Sequence, residues 1–354
     1  EAWTVHGRDG RLHAPGRPLD VGASGTTARF LTAAATLADG PVVVDGSPRM
    51  RERPIGALVG TLAALGAPAE AQGPGGCPPV RVAGGGLPGG RARIDARRSS
   101  QYVSALLLVG PCARRDLELE LVDGALVSRP FVELTLEVMD AFGAEAAFTP
   151  AGLRVRAGVG YAARDYAVEP DAQAAVYGFA AAAIAGGRVR VEGLPADSRQ
   201  TDLRLLDVLA RMGCRVRREA AAVVVERPPH VPLVGVEVDG ADIPDAVLAL
   251  AVVALFAEGP TTVRGIGHLR LKESDRLAAL ETELRRLGAR AEAGPDWLRI
   301  EPAPLHGAAV DTYDDHRMAM SFALAGLRVP GVAVRDPGCV AKTWPGFFAA
   351  LEAL

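Results

Sequence analysis

Apolar and polar positions along the chain form a pattern that recurs at long intervals. An apolar stretch with helical spacing leads into Leu, Phe or Met followed by a glycine, and then come a strand, a turn and a second strand. Glycine in this place is typical of a helix end, because it adopts the left-handed conformation that caps the helix. The four glycines of the pattern lie 70 to 77 residues apart and are Gly66, Gly143, Gly213 and Gly288.

A second recurring pattern gives further strands. An Ala- and Leu-rich stretch passes through a glycine into a short run of β-branched or leucine residues. These runs are residues 42–44, 117–121, 189–191, 261–263 and 332–334. Each unit is thus predicted to alternate strands and helices and to close with a strand pair, and 354 residues hold just under five such units. Five units cannot be shared equally, so either two lobes differ or one unit is missing.

The fold class predicted from these patterns is α/β with two lobes. The boundary is expected near residues 165–171, midway between two repeats, which gives an N-terminal lobe of residues 1–166 and a C-terminal lobe of residues 167–354.

Composition and charge exclude several classes of protein. The net charge of −3 gives no overall reason to bind nucleic acid or an anionic membrane. The most apolar runs, residues 174–185 and 246–257, are shorter than the roughly 20 residues that span a bilayer and are predicted to be buried helices. The first ten residues show no signal-peptide pattern, so a cytoplasmic protein is expected. The four cysteines are too scattered for a disulfide framework or a structural zinc site.

Lysine is almost absent from the chain. Of 39 basic residues only Lys272 and Lys342 are lysine. Arginine is used at the positions where either arginine or lysine would serve. The two remaining lysines therefore indicate positions that need a compact ammonium group or an amine that transfers protons.

The distinctive polar segments stand just before apolar helices. Unsatisfied backbone N–H groups and the positive end of the helix dipole meet at a helix N-terminus, so serines and arginines there bind phosphate or carboxylate groups. Ordinary helix capping explains any one segment by itself, but five of them with repeated arginine and lysine favour anion binding. The five are residues 24–27, 99–101, 128–130, 272–276 and 314–317.

Two carboxylates near these cations suit proton transfer. Asp245 precedes the most apolar helix of the second half, and its alternative interpretation is a plain N-cap. Glu273 lies between a lysine and a serine, and its alternative is a solvated residue of a first helical turn. His316 has two further alternatives, a capping or a core histidine, and no metal site is expected because metal-ligand spacing is absent around it.

Six segments in this order resemble the 5-enolpyruvylshikimate-3-phosphate synthase family. They are Gly-Ala-Ser-Gly-Thr-Thr-Ala-Arg at 22–29, Pro-Arg-Met-Arg-Glu-Arg-Pro at 48–54, Ser-Ser-Gln at 99–101, Lys-Glu-Ser-Asp-Arg at 272–276, Asp-His-Arg-Met-Ala-Met at 315–320 and Ala-Lys-Thr at 341–343. Six motifs in register are much more specific than any one of them. The resemblance implies a two-lobed inside-out α/β barrel of six βαβαββ units, of which about five are present here.

By this resemblance the chain is a transferase of the shikimate pathway, which makes aromatic amino acids, and a target of glyphosate. The reaction adds the 5-hydroxyl of shikimate 3-phosphate to C2 of phosphoenolpyruvate and eliminates phosphate from a tetrahedral intermediate. The resemblance implies no cofactor and no metal. The expected partners are these two small substrates, with no nucleic acid and no membrane, and a monomer is expected.

The resemblance also assigns roles to residues. The phosphoenolpyruvate site would comprise Gly25, Thr26, Arg49, Arg276, Arg317 and Lys342. The shikimate 3-phosphate site would comprise Ser99, Ser100, Gln101, Ser128, Asp245, His268 and Lys272. The catalytic set would be Asp245, Glu273, Lys272 and His316. Within that set Asp245 would accept hydroxyl protons, Glu273 would transfer protons at the methylene carbon, and His316 would help to orient the phosphate.

Three departures from the family pattern are visible. The family's opening Pro-Gly-Ser-Lys-Ser segment has no counterpart, so the first repeat is expected to be missing and the activity of the chain by itself to be low. Phe131 stands where many relatives have a tyrosine, which removes one hydrogen bond worth about 0.5 to 1.5 kcal/mol. His268 stands where some members have asparagine, and it can still donate a hydrogen bond.

Two alternatives arise from the same residues. One is a truncated or inactive homologue that binds the ligands without turnover. The other is the enolpyruvyl transferase that acts on UDP-N-acetylglucosamine and carries a reactive cysteine in a Pro-Gly-Gly-Cys loop, a tetrapeptide that occurs here at 74–77. The residues that follow, 78–82, resemble a strand of the synthases instead, and that rival family lacks the segments at 272–276 and 315–317.

Overall fold

The chain forms two compact units in the computed structural model, which describes residues 2–354. One unit extends to Tyr166, and the other runs from Ala167 to Leu354. Each unit consists of short sheets and helices and has its own hydrophobic core.

The first unit contains four helices and eight strands among its described residues. The helices are α1 (Gly25–Ala34), α2 (Gly56–Ala64), α3 (Gln101–Val109) and α4 (Arg129–Ala141). The strands are β1 (Leu19–Asp20), β2 (Val42–Asp45), β3 (Ala69–Gly73), β4 (Cys77–Val82), β5 (Gly90–Ala96), β6 (Leu117–Leu126), β7 (Ala146–Thr149) and β8 (Gly152–Val155). Short 3-10 helices cover Ala35–Leu37, Met50–Glu52, Pro74–Gly76 and Gly110–Cys112.

The second unit is richer in helices. These are α5 (Ala172–Ala185), α6 (Leu205–Arg211), α7 (Val247–Ala254), α8 (Arg276–Arg286), α9 (His316–Ala323) and α10 (Phe347–Glu352). Its strands are β9 (Gly187–Glu192), β10 (Arg215–Glu219), β11 (Ala222–Arg227), β12 (Leu233–Val234), β13 (Glu237–Asp239), β14 (Ala257–Glu258), β15 (Thr261–Arg264), β16 (Arg290–Ala293), β17 (Leu298–Glu301), β18 (Ala309–Val310) and β19 (Ala333–Val334). Short 3-10 helices cover Thr201–Arg204, Gly267–Leu271, Leu324–Leu327 and Pro337–Lys342.

The order of elements repeats along the chain. In the first unit, β1-α1-β2-α2-β3-β4 and β5-α3-β6-α4-β7-β8 are each one βαβαββ repeat, and each forms one four-stranded sheet. The first two strands of each sheet are parallel, and the last two form an antiparallel hairpin that pairs with the second strand. In the second unit β13, α7, β15, α8, β16 and β17 follow the same plan, with β14 in addition. The predicted α/β class with βαβαββ units is thereby confirmed.

Two shorter repeats complete the described part of the chain. The sheet β10-β11-β9 contains the antiparallel hairpin but no parallel first strand. Strands β18 and β19 form only the parallel pair, on either side of α9 in the sequence. Three complete repeats and these two partial ones agree with the predicted count of just under five units.

The glycines that mark the repeats end their helices as predicted. Each of the four lies two residues beyond the last residue of α2, α4, α6 or α8, and their φ angles lie between +80° and +109°. A residue with a side chain is strained at such angles, so glycine is the residue that ends the helix at low cost.

Helix α7 is the most deeply buried element of the second unit. All eight of its residues have 0% exposure, so the helix has no solvent face and its sequence needs no polar stripe. The prediction that the apolar runs are buried helices is confirmed. Within residues 2–354, no helix combines the length and the apolar character that crossing a membrane requires.

Candidate active site

Aspartates cap three helices of the second unit. Asp171, Asp275 and Asp315 each accept a hydrogen bond from a backbone N–H of the first helical turn, at 2.8 to 3.0 Å. These bonds satisfy N–H groups that have no partner within the helix, and they fix where each helix begins. The first or second residue of each helix is thereby held in place with its side chain available for a site. These residues are Gln173 of α5, Arg276 of α8 and Arg317 of α9.

Asp245 departs from this capping pattern. The N-cap position of α7 is the next residue, Ala246, which makes no side-chain cap. The carboxylate of Asp245 instead accepts a hydrogen bond from Nη1 of Arg276 at 2.7 Å and from Nε2 of Gln173 at 2.9 Å. Nη2 of Arg317 lies 3.4 Å from the same carboxylate. The plain N-cap interpretation of Asp245 is therefore wrong.

Arg276 is fully buried among three carboxylates. Its Nε and Nη2 donate to Asp315 at 2.8 and 3.2 Å, and Nη2 also donates to Glu273 at 3.0 Å. With the bond to Asp245, four hydrogen bonds are made from five N–H donors. Burial by itself lowers the pKa of Arg276, but the three carboxylates raise that pKa well above its ordinary value. The guanidinium is permanently charged and nearly saturated with acceptors.

Lys342 joins this arrangement through Glu273. Its Nζ lies 2.5 Å from Oε1 of Glu273, whose other oxygen accepts from Arg276. The hydroxyl of Ser274 donates to Asp315 at 3.1 Å. The solvated interpretation of Glu273 is wrong, because its side chain is only 11% exposed and is shared by two cations. We call the connected set the Arg276 cluster, and it comprises Gln173, Asp245, Glu273, Arg276, Asp315, Arg317 and Lys342.

The charges of the cluster keep Asp245 ionised. Burial by itself raises the pKa of Asp245, but the positive charges of Arg317, Lys272 and Arg276 outweigh burial and hold that pKa well below its usual range. Lys272 follows the 3-10 helix Gly267–Leu271, and its charge acts on Asp245 in this way. Asp245 is a carboxylate at neutral pH in the substrate-free protein.

The buried His316 and the half-buried His268 adjoin the cluster. Burial, followed by the charge of Arg317, lowers the pKa of His316 to about 3. Burial, followed by the charge of Lys272, lowers the pKa of His268 to about 4. Nδ1 of His316 and Nε2 of His268 are buried atoms with no hydrogen-bond partner in the protein. His316 does not cap α9, since Asp315 does, so the capping interpretation is wrong.

Asp202 is a buried acid beside the cluster that the sequence analysis missed. Burial, followed by the charge of Asp245, raises the pKa of Asp202 to about 6, and its Oδ1 has no partner. Gln173 was missed as well. A signal for Gln173 exists, because Asp171 and Gln173 precede an apolar helix just as the five chosen segments do. No comparable signal exists for Asp202, whose role depends on tertiary packing.

In the first unit, the predicted polar groups gather at the N-termini of α1 and α3, which pack on each other. Ser24 caps α1 by accepting from the N–H of Thr27 at 3.3 Å. Nε2 of Gln101 donates to Oγ1 of Thr26 at 2.9 Å, so these two predicted site residues are in contact. Oγ of Ser99 accepts from the N–H of Gln101 at 3.2 Å. Ser100 occupies the N-cap position of α3 without a side-chain cap.

Three other predicted residues of the first unit have different surroundings. Gly25 is the first residue of α1, and a Cβ there would lie 2.5 Å from the guanidinium of Arg53, so a side chain would require the arginine groups around it to move. Arg49 pairs with Glu52 at 2.8 Å. Ser128 has a φ of +48° and makes no capping hydrogen bond, so the interpretation of a serine cap is wrong there.

The thiol of Cys77 is not activated. Cys77 begins β4, it is buried, and burial raises the pKa of its thiol. A nucleophilic cysteine needs a thiolate, which an exposed and electropositive setting favours. This setting counts against the reactive-cysteine alternative. Among residues 2–354, no group of three His, Cys, Asp or Glu side chains is arranged to hold a metal ion.

Comparison with known proteins gives a consistent result. The family model described as EPSP synthase (3-phosphoshikimate 1-carboxyvinyltransferase) matches residues 1–351. The chain is 49% identical over 349 residues to the 3-phosphoshikimate 1-carboxyvinyltransferase of Methanoculleus marisnigri, covering 98% of this chain and 82% of that protein. It is 45% identical over 343 residues to the enzyme of the same name from Nostoc punctiforme, covering 97% and 80%.

Solved structures agree with these sequence relatives. The EPSP synthase of Acinetobacter baumannii superimposes with a TM-score of 0.76 at 25% identity, covering 96% of this chain and 79% of that one. The enolpyruvyl transferase NikO from Streptomyces tendae superimposes with a TM-score of 0.70 at 24% identity and is similar in fold.

Proposed function

The chain belongs to the EPSP synthase family, and on that premise we propose that it transfers the enolpyruvyl group of phosphoenolpyruvate to the 5-hydroxyl of shikimate 3-phosphate and releases phosphate. The observation that carries the proposal is the Arg276 cluster, in which two buried arginines, Lys342 and three carboxylates are linked by hydrogen bonds and ion pairs. Addition and elimination at a charged enol ether need cations to hold the anion and acids or bases to move protons.

Phosphoenolpyruvate would bind to the cations of this cluster. Lys342 is partly accessible, with a side-chain exposure of 24%, and Arg317 is buried with 8%. Arg276 is fully buried, so a substrate anion would engage it only by taking over hydrogen bonds that Asp245 or Glu273 now accept. Charge-assisted bonds to carboxylate and phosphate suit the planar guanidinium groups, and the ammonium group of Lys342 suits a single oxygen. Gly25, Thr26 and Arg49 complete the proposed phosphoenolpyruvate set.

Substrate binding would also activate Asp245. The pKa of this carboxylate is low because Arg317, Lys272 and Arg276 act on it. A bound anion compensates part of that positive charge, so the pKa of Asp245 rises and the carboxylate becomes a better base. In this way the base gains strength only when an anionic substrate is bound to these cations. We assign to Asp245 the removal of the proton from the 5-hydroxyl.

Glu273 would deliver and remove protons at the methylene carbon of phosphoenolpyruvate. It lies between two cations, at 3.0 Å from Arg276 and 2.5 Å from Lys342. If Arg276 and Lys342 hold the carboxylate of phosphoenolpyruvate, Glu273 lies next to that carboxylate and can act as an acid there. Neutral His316, with its unpartnered Nδ1, would help to orient the phosphate.

The residues proposed for shikimate 3-phosphate follow from the family resemblance, and they include serines near helix starts of the first unit and groups beside Asp245 in the second. The set comprises Ser99, Ser100, Gln101, Ser128, Asp245, His268 and Lys272. The contact between Gln101 and Thr26 supports a shared polar surface at α1 and α3. Phosphorylated anions do not diffuse freely through membranes, so a cytoplasmic location belongs to the proposal. A monomer is proposed too, and gel filtration of the natural protein tests it.

The proposal is tested by mixing the natural protein with phosphoenolpyruvate and shikimate 3-phosphate and following inorganic phosphate and the product by phosphorus NMR. We expect phosphate release only when both substrates are present. Release with UDP-N-acetylglucosamine in place of shikimate 3-phosphate would favour the rival transferase. Binding of both substrates by calorimetry without any release would favour a homologue that binds without turnover.

A further inference from the structure

Gln173 connects two groups of the Arg276 cluster that carry opposite charge. Its Nε2 donates to Oδ2 of Asp245 at 2.9 Å, and its Oε1 accepts a hydrogen bond from Nη2 of Arg317. The carboxylate only accepts and the guanidinium only donates, so a single orientation of the amide satisfies both partners. A carboxylate or an ammonium group at this position would satisfy only one of them.

The backbone of Gln173 is held in place. Its N–H donates to Asp171 at 2.8 Å, and the N–H of Ala172 donates to Oε1 of Gln200 at 2.8 Å. The first turn of α5 therefore has two of its N–H groups fixed by side chains. The amide reaches Asp245 and Arg317 from a rigid helix start, and these partners lie 72 and 144 residues away in the sequence.

Both oxygens of Asp245 are held by this arrangement. Oδ1 accepts from Arg276 at 2.7 Å, and Oδ2 accepts from Gln173 while Arg317 lies 3.4 Å away. Both carboxylate oxygens are thus engaged, and the amide of Gln173 occupies the hydrogen-bonding position next to Arg317 at Oδ2. Without the amide, Arg317 would be free to approach Oδ2 and to neutralise it.

We propose that Gln173 is a positioning residue for the enolpyruvyl transfer, which holds Asp245 in the orientation of a base and keeps Arg317 from pairing closely with it. The inference rests on the proposed function. Gln173 is not assigned a contact with substrate, and it acts through its two partners. The charged or titratable groups around Asp245 are Arg317, Lys272, Arg276, Glu273, Asp202, His268 and Tyr177.

Two substitutions separate this role from a merely structural one. Gln173→Met keeps the length of the side chain and removes its hydrogen bonds to Asp245 and Arg317, together with its hydrogen-bonding interaction with Asp202. Gln173→Glu keeps the acceptor for Arg317 and places a second negative charge beside Asp245, which raises the pKa of that carboxylate. The matched control is Gln200→Met, because Gln200 also forms a two-ended bridge at the start of α5 but contacts Glu169 and Ala172 rather than the cluster.

The experiment measures kcat of the natural protein and its variants between pH 5 and pH 9, with unfolding midpoints to confirm folding. We expect Gln173→Met to lower kcat about tenfold, the loss of roughly one charge-assisted hydrogen bond. We expect Gln173→Glu to move the acid limb of the kcat profile upward by about one pH unit or more, while Gln200→Met leaves the profile in place.

Folded Gln173 variants with the wild-type kcat and the wild-type pH profile would overturn the inference while the proposed function stands. An equal shift of the profile in Gln200→Met would also overturn it, because the effect would then come from the helix start. A wild-type protein without turnover would instead overturn the proposed function, and the inference with it.

Discussion

The guanidinium of Arg276 and the carboxylate of Asp315 form a two-point contact in which both side chains are fully buried. Nε lies 2.8 Å from Oδ2, and Nη2 lies 3.2 Å from Oδ1. Asp315 also caps α9, so one carboxylate fixes the start of α9 and the first residue of α8. The position of Arg276 therefore depends on the packing of two helices whose first residues lie 40 apart in the sequence.

Replacing Arg276 with alanine is expected to destabilise the protein strongly, because three carboxylates lose their buried partner. Removal of one member of a buried ion pair typically costs about 3 to 5 kcal/mol. The control is Arg264→Ala, since Arg264 pairs with Glu237 at 2.7 Å but both side chains are more than half exposed. That loss is expected to be below about 1 kcal/mol. Urea unfolding at pH 7 measures both, and equal losses would contradict the account of the buried site.

Asp202 is expected to make the protein less stable as the pH rises. Its pKa is about 6 in the folded state against about 3.9 in unfolded chains, so between these values the folded state binds more protons and stability falls with rising pH. At pH 7 the free energy of unfolding of Asp202→Asn should therefore be about 1 to 3 kcal/mol higher than that of the wild type. Below pH 4 the two free energies should be equal. Urea unfolding across this range measures the difference.

The control for that variant is Asp207→Asn on α6, whose side chain is 74% exposed. This substitution should leave the pH dependence of unfolding as it is. If Asp202→Asn also left the pH dependence of unfolding unchanged, Asp202 would be ionised in the folded protein at neutral pH. The raised pKa that follows from its burial beside Asp245 would then be wrong.

His316 is expected to act in the opposite direction. Its pKa is about 3 in the folded state and about 6.5 in unfolded chains, so its contribution to stability is full above pH 6.5 and is lost as the pH falls toward 3. Between pH 7 and pH 5 the free energy of unfolding should fall by about 2 kcal/mol because of His316. In His316→Asn this part of the pH dependence should be absent. Proton NMR of the ring should show neutral His316 at pH 5. Titration of the His316 ring near pH 6.5 would refute the prediction.

Lys342→Ala is expected to weaken the binding of phosphoenolpyruvate. A charge-assisted hydrogen bond to an anion is worth about 1.5 to 3 kcal/mol, which corresponds to a loss of roughly 10- to 150-fold in affinity. Calorimetry in the presence of shikimate 3-phosphate measures it. Arg335→Ala removes an exposed cation that pairs with Asp311 and should leave the affinity within about twofold. Equal affinities of the Lys342 variant and the wild type would remove Lys342 from the proposed site.

Much of the fold could be predicted because its signals are local in sequence. Glycine is needed at each helix end because φ is positive there, as at Gly66 and Gly288. The regular spacing of these glycines makes the structural repeat visible in the sequence. The apolar run of α7 reflects a helix without a solvent face. Such features are decided by a few neighbouring residues, so the chain displays them directly.

The candidate site could be predicted only in part, because its contacts are made between distant residues. Asp245 was recognised as polar before a buried helix, but a cap and a buried ion pair have the same sequence pattern. The partners of Asp245 distinguish the two, and Arg276 lies 31 residues away while Gln173 lies 72 away. Asp202 has no local mark at all. The orientation of such side chains is set by tertiary packing, and tertiary packing cannot be inferred from any single sequence segment.

The most direct test of the central claim, that the cluster around Asp245 performs the proton transfer, is the kcat of Asp245→Asn with phosphoenolpyruvate and shikimate 3-phosphate. The variant keeps the size of the side chain and loses the base, so kcat should fall about 100- to 10,000-fold. Asp242→Asn, three residues earlier and paired with Arg204 at the surface, should keep the wild-type rate. A folded Asp245→Asn protein that retains half of the wild-type kcat would contradict the account.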